Sequence, residues 1–252
     1  MIRNVLANAL NPKMRPEMIR KLFIRPRYGF KEHLQALEWA AKRVQHIEEW
    51  AHQREPLLWN ESERFANELR MTSSGILQLL ASRGVDLGGG GSIELLYFMV
   101  RLRQPNLVLE TGVAAGWSSW AILAALERNG SGRLKSSDFP YFRIQDPERY
   151  IGILVPDDLK HRWDFAVEGD RKNLSTLLTD SDRVDLVHYD SDKSRPGRDW
   201  FVKAVEPYLS PGAVLIWDDI EDNLAFRDHS QLMPETYVLK TLDGIVGLAF
   251  TA

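Results

Sequence analysis

The stretch Leu107-Val-Leu-Glu-Thr-Gly-Val-Ala-Ala-Gly-Trp-Ser-Ser119 decides how the rest of the chain is read. Its apolar opening, residues 107–109, has the character of a buried parallel strand. Glu110 ends that strand, and Gly112 and Gly116 enclose a turn. Ser118-Ser119 then lead into the apolar run 120–126, a helix for which serine capping is expected. Strand, glycine turn and helix N-terminus together make the ligand-binding corner of an open α/β sheet. A dinucleotide fingerprint needs three glycines, so that the backbone can close on a pyrophosphate. Here the pattern is Glu-x-Gly-x-x-x-Gly, with an acid at the strand end and no third glycine. That acid repels a pyrophosphate and suits a ligand that carries a cation.

The pattern resembles motif I of class I S-adenosylmethionine-dependent methyltransferases, whose ligand carries an ammonium and a sulfonium. The resemblance implies an α/β fold: a Rossmann-like sheet of seven strands, the last one antiparallel, with a helical N-terminal extension. Two regions are expected. Residues 1–90 form the helical extension, acting as a lid or as the surface for homo-oligomer formation, and residues 91–252 form the S-adenosylmethionine-binding catalytic domain.

Bulk properties narrow the field. A chain of 252 residues fits one α/β domain with an extension. A net charge of -3 argues against a nucleic-acid surface, and no base-flipping motif is present. The absence of cysteine excludes a disulfide framework and a thiolate zinc site. No apolar run reaches the length of a membrane span and no signal-peptide core opens the chain, so a cytoplasmic location without a membrane partner is expected.

Along the chain, Leu34, Leu37, Ala41, Val44 and Ile47 recur at helical spacing. A second helix is expected from Asn60, which stands at capping-box distance from Glu63, with a break near residues 72–75. Trp39, Trp50 and Trp59 read as helix-packing residues, with an aromatic lid as the sharper alternative. Gly88 to Gly91 read as a hinge or a ligand-side loop, and residues 93–102 as a helix. Further strands are expected at residues 133–137, 163–167, 184–189 and 213–217, with helices near 174–178 and 200–209 and a turn at 210–212. Asp243-Gly244 between two apolar runs signals a terminal hairpin.

This layout places Glu110, Asp138, Asp170, Asp190, Asp218 and Asp219 along one edge, outside the carboxyl ends of the strands where ligands bind. Asp138 lies at the distance from the glycine turn where a ribose-holding carboxylate sits in nucleotide-binding sheets. By resemblance, Asp170 faces an adenine amine, and Glu110, Gly112, Gly116, Ser118 and Asp190 complete the donor site. So many carboxylates repel one another unless a cation or a proton separates them. Asp190, Asp218 and Asp219 suit an oxygen-ligand site for magnesium or manganese, which would lower the pKa of a substrate hydroxyl. Lys193 is then a candidate base, provided that its pKa is lowered.

Asp190-x-x-Lys193 after the fourth strand and Asp218-Asp219 after the fifth resemble the metal sites of catechol and caffeoyl-CoA O-methyltransferases, which carry Asp-Asn in the second motif. Macrolide-sugar O-methyltransferases are similar, with a histidine in place of that lysine. Residues 187–193, 211–220 and 223–226 are similar to a bacterial family found around sugar and natural-product tailoring. The resemblance implies methyl transfer to a hydroxyl of a small molecule, a sugar, natural product or phenol, assisted by the metal. His229 is the alternative base, and His188, on the strand itself, reads as a packed histidine. The competing readings are metal-independent methylation with the acids structural, a non-catalytic ligand-binding relative, and an NAD oxidoreductase, which the missing third glycine disfavours. Asp218-Asp219 as a simple cap, and Tyr141 and Trp117 as packing beside the donor, complete the alternatives.

Overall fold

The computed structural model describes residues 2–28 and 32–252; Met1 and residues 29–31, part of the region expected to be helical, lie outside the described residues. The chain runs α1 (Ile2–Ala9), α2 (Arg15–Tyr28), α3 (His33–Ala41), β1 (Val44–His46), α4 (Ile47–His52), α5 (Pro56–Ser82) and α6 (Ile93–Arg103). The glycine-turn unit follows as β2 (Leu107–Thr111), α7 (Trp117–Asn129) and β3 (Arg133–Ser137). Then come β4 (Trp163–Ala166), α8 (Asp170–Leu177), β5 (Val184–Tyr189), α9 (Arg195–Val205), β6 (Leu209–Trp217), α10 (Ala225–Ser230), β7 (Glu235–Lys240) and β8 (Ile245–Phe250).

One sheet carries the molecule, in the order β1-β7-β8-β6-β5-β2-β3-β4. From β6 to β4 every pairing is parallel, while β8 runs antiparallel to both β6 and β7. The terminal hairpin and the antiparallel last strand are as expected. The eighth strand is not. Val44 belongs to β1, which pairs in parallel with β7 at the sheet edge, instead of continuing the helical repeat before it.

Strand alternation divides the apolar side chains between two layers. Val108, Leu186, Val214 and Ile216 face one cluster with α5, α6 and α7. Leu107, Leu109, Val187, Leu215 and Trp217 face the other, with Ala40, Phe201 and Phe226. Trp50 and Trp59 are packing residues: both are buried and set edge-on to Phe98, at ring distances of 6.0 and 5.7 Å. Helix α5 runs unbroken through residues 72–75, because Ser62, Ala66, Leu69, Ser73 and Leu80 form one continuous buried face. The Ser73 and Ser74 hydroxyls donate back to the carbonyls of Arg70 and Met71, so neither is left unsatisfied inside the helix. It begins at Pro56, and Asn60 lies inside it, so the expected capping box is not formed. Strand β6 starts at Leu209 and absorbs the turn expected at residues 210–212, and α9 starts at Arg195, where Ser194 caps the amide of Gly197 at 3.1 Å.

Candidate active site

Hydrogen bonds continue the ladder beyond the strands and align their ends. Asp218 N donates to Tyr189 O, Asp190 N to Thr111 O, Gly112 N to Ser137 O, and Asp138 N to Ala166 O, all within 3.0 Å. Gly112 holds φ +88°, and a side chain there would collide with the Asp190 carbonyl, so only glycine lets β2 and β5 end this close together. Gly116 holds φ +97°, and a Cβ on it would meet Gly152 Cα at 2.9 Å. It is the N-cap of α7 and has no side-chain bond, so the expected serine cap is replaced by a glycine cap. Ser118 is buried at the first turn of that helix.

Glu110 lies under the turn and not on the open edge. It has no exposed surface, and its Oε2 accepts from Ser119 Oγ at 2.6 Å and Ser136 Oγ at 2.7 Å. Its partner across the ladder is His188, whose Nδ1 stands 3.6 Å from Glu110 Oε1. Burial opposes charge on His188, but Glu110 and Asp190 together raise its pKa. A carboxylate enclosed in this way braces the turn from below, so the donor contact expected of Glu110 has no surface through which to form.

Asp138 does sit at the turn. Its carboxylate accepts from Ala114 N at 2.8 Å and Phe139 N at 2.6 Å, and burial pushes its pKa up to about 6. Asp170, the first residue of α8, accepts from Ser137 Oγ at 2.6 Å and Ser191 Oγ at 2.5 Å, and burial raises it too. Helix α2 covers this half. Arg20 pairs with Glu17 and with Asp192 Oδ2 at 2.5 Å, Lys21 lies over the Phe139 ring at 5.1 Å, and Met14 and Met18 pack on Phe139.

The other half is a cluster of acids. Asp190, Asp218 and Asp219 each offer a carboxylate oxygen, and these oxygens lie within 4.8 Å of one another. Lys193 stands among them, 2.6 Å from Asp190, 3.2 Å from Asp218 and in contact with Asp219. Burial works against its charge, but the three carboxylates raise its pKa well above the usual lysine range, opposite to what a base requires. Burial and the Asp218 charge push Asp190 to about 7, whereas Lys193 and His188 hold Asp218 low despite its burial. Near neutral pH the pair therefore prefers to keep one proton.

His229 stands apart from this cluster. Its Nε2 meets Asp199 Oδ1 at 2.7 Å, and its ring lies 6.0 Å from that of Trp217, on the α9 side of the sheet. Two residues that the sequence reading did not assign support the acids. Arg198, fully buried, donates to the carbonyls of Asp218 and Asp219 at 2.9 and 2.8 Å. Asn223 Nδ2 donates to Lys193 O at 2.7 Å. Arg198 had a signal, because it shares a helical face with Phe201 and Val205, where a cation needs a buried partner.

Residues 109–220 match the family model described as a methyltransferase domain, Methyltransf_24. Over that stretch the chain is similar to methyltransferase domains. Solved structures share the fold of this domain. An O-methyltransferase from Bacillus cereus in complex with SAH is 17% identical, with 72% of this chain and 91% of that one covered and a TM-score of 0.54. The O-methyltransferase TomG from Streptomyces achromogenes, involved in tomaymycin synthesis and solved with SAM, is 22% identical, with 69% and 87% covered and a TM-score of 0.51. A methyltransferase from Geobacter sulfurreducens is 21% identical, with 71% and 87% covered and a TM-score of 0.50. No curated protein sequence matches the chain.

Proposed function

We propose that this methyltransferase domain is an S-adenosylmethionine-dependent O-methyltransferase that acts on a hydroxyl of a small molecule with help from a divalent cation. The observation that carries the reading is the convergence of Asp190, Asp218 and Asp219 at the strand edge, next to the glycine turn. For the donor, the close approach at Gly112 and the carboxylate of Asp138 at the turn fit a nucleoside. Gly112, Gly116, Ser118, Asp138 and Asp170 would hold it. For the cation, three oxygen ligands fit magnesium or manganese, and the ammonium of Lys193 already shows that the cluster takes a positive charge. A bound divalent ion would supply a Lewis acid that favours the ionised form of an acceptor hydroxyl. Arg198 fixes the backbone of the Asp218–Asp219 turn, Asn223 fixes the carbonyl of Lys193, and Lys193 neutralises the acids whenever they stand without another cation.

The position of Lys193 also supports a second reading, methylation without metal, in which the ammonium is the only cation the cluster needs. Titration calorimetry with adenosylhomocysteine, followed by turnover with and without chelator, separates the two. Asp190→Asn and Asp219→Asn should each lower turnover about 100-fold or more while adenosylhomocysteine affinity changes less than about threefold. Near-normal rates in both variants, or turnover untouched by chelation, would reject the metal. Failure of the wild-type chain to bind adenosylhomocysteine would reject the donor site itself.

A further inference from the structure

Two cavities share a wall at residues 84–86, and the smaller of them touches the glycine turn; none of Asp190, Asp218 and Asp219 lines either. The smaller, about 420 Å³, is an apolar passage lined by Leu77, Leu80, Val85, Leu87 and Ala115. Ala115 belongs to the turn itself, between Gly112 and Gly116. Residues 84–86 line both this passage and a second cavity, a chamber of about 650 Å³ between α1, the end of α5 and the loop 143–150. Arg83, Arg143 and Arg149 line that chamber.

These three arginines differ from most others in the molecule. Arg20, Arg54, Arg101, Arg133, Arg162 and Arg195 all sit in ion pairs. Among the described residues, no hydrogen bond, ion pair or ring contact engages the guanidinium of Arg83, Arg143 or Arg149. Two acids share the chamber, Asp86 and Asp146, and Asp86 already accepts from Gly88 N at 2.9 Å. Three cations against two anions leave the chamber positive in a chain whose net charge is -3. Tyr141 stands between the passage and the strand edge in its contacts: its hydroxyl donates to Leu87 O at 3.4 Å, and Asp138, Asp190, Lys193 and Asp86 all act on it electrostatically.

We propose that the chamber is a phosphate subsite: it takes the phosphate or diphosphate of a small-molecule acceptor whose apolar middle lies in the passage. That this ligand is the acceptor rests on the methyltransferase reading above; that the chamber binds phosphate does not. Guanidinium forks match phosphate oxygens in pairs, and unpaired forks have no internal bond to break before they bind. An apolar passage next to a basic chamber suits a molecule with its charge at one end. An overall acidic chain is poorly suited to nucleic acid, so a discrete phosphorylated molecule is the better occupant.

The test is titration calorimetry on the full chain at low salt, with inorganic pyrophosphate as the probe, in wild type and in the triple variant R83Q/R143Q/R149Q. Adenosylhomocysteine is titrated into both proteins in parallel. Pyrophosphate should bind the wild type and bind the variant at least about tenfold more weakly, with adenosylhomocysteine affinity unchanged between them. The exposed positions of the three arginines make the variant safe to fold, and unchanged adenosylhomocysteine binding confirms it. No pyrophosphate binding by the wild type, or equal binding by both, overturns the subsite. So does a short single-stranded oligonucleotide that binds more tightly than pyrophosphate through the same arginines. Arginine-dependent pyrophosphate binding without adenosylhomocysteine binding would keep the subsite and remove the methyltransferase reading. The reverse pair of results would remove only the subsite.

Discussion

Asp138 shows what a single residue at the strand edge contributes and costs. Its carboxyl has a folded pKa of about 6 against an ordinary 3.8, because burial disfavours its charge more than two backbone amides favour it. Between about pH 4 and 6 the folded protein holds a proton that the unfolded chain has released, so unfolding free energy falls as pH rises through that window. The stability this group contributes is full below the unfolded value and gone above the folded one. Asp138→Asn removes the titration. Urea melts at pH 4.5 and pH 7 should show the variant gaining about 2 kcal/mol relative to wild type at the higher pH. Parallel profiles for the two proteins would show that Asp138 titrates normally. At this scale the sequence was readable wherever a residue follows a strand, as Asp138, Asp190, Asp218 and Asp219 do. Glu110 was harder, because position along β2 says nothing of side unless parity is counted. Val108 faces the α5–α7 layer, and Glu110, two residues on, faces the same way and passes under α7 instead of over the edge.

Among the elements, α2 is the one whose role the sequence did not reveal. Its charges at Glu17, Arg20 and Lys21 carry no local sign of a partner; Gly169 after β4 and Asp192 after β5 come up to Glu17 and Arg20 only in the folded chain. Half-burial of the Arg20–Asp192 pair makes it worth more than a surface bridge, about 1–2 kcal/mol with its hydrogen bond. Arg20→Ala should therefore speed amide exchange in α2 by about tenfold while leaving the protection of β2 and β5 unchanged. Uniformly unchanged exchange would mean that the methionine packing on Phe139 alone holds this helix. The long helix α5 and the short strand β1 were obscured for opposite reasons. In α5 a polar and glycine-containing stretch is carried by a continuous buried face that a local breaker rule does not see. In β1 three residues form a strand only because β7 offers them an edge that no local pattern announces.

For the whole molecule, the question is whether the N-terminal region is an appendage or part of the core. Trp50, Trp59, Leu69 and Leu80 belong to the same buried cluster as Phe98 on α6, Leu123 on α7 and Val108 on β2. Two tryptophans set edge-on to one phenylalanine join α4 and α5 to the same apolar layer that α6 forms with α7. Truncating one such side chain costs about 3–5 kcal/mol, against a total of about 5–15 kcal/mol for an ordinary domain. We therefore expect α4 and α5 to melt with the sheet and not before it. Calorimetry should give one transition for the full chain, and Trp59→Ala should move that whole transition to lower temperature without splitting it. A chain beginning at residue 91 should fail to reach a cooperative fold, whereas one beginning at residue 32 should keep it, since α1 and α2 pack on a separate, smaller cluster around Phe139. A stable, cooperatively folding fragment 91–252 would show that the sheet needs neither tryptophan, and that α4 and α5 are attached to the core and not built into it.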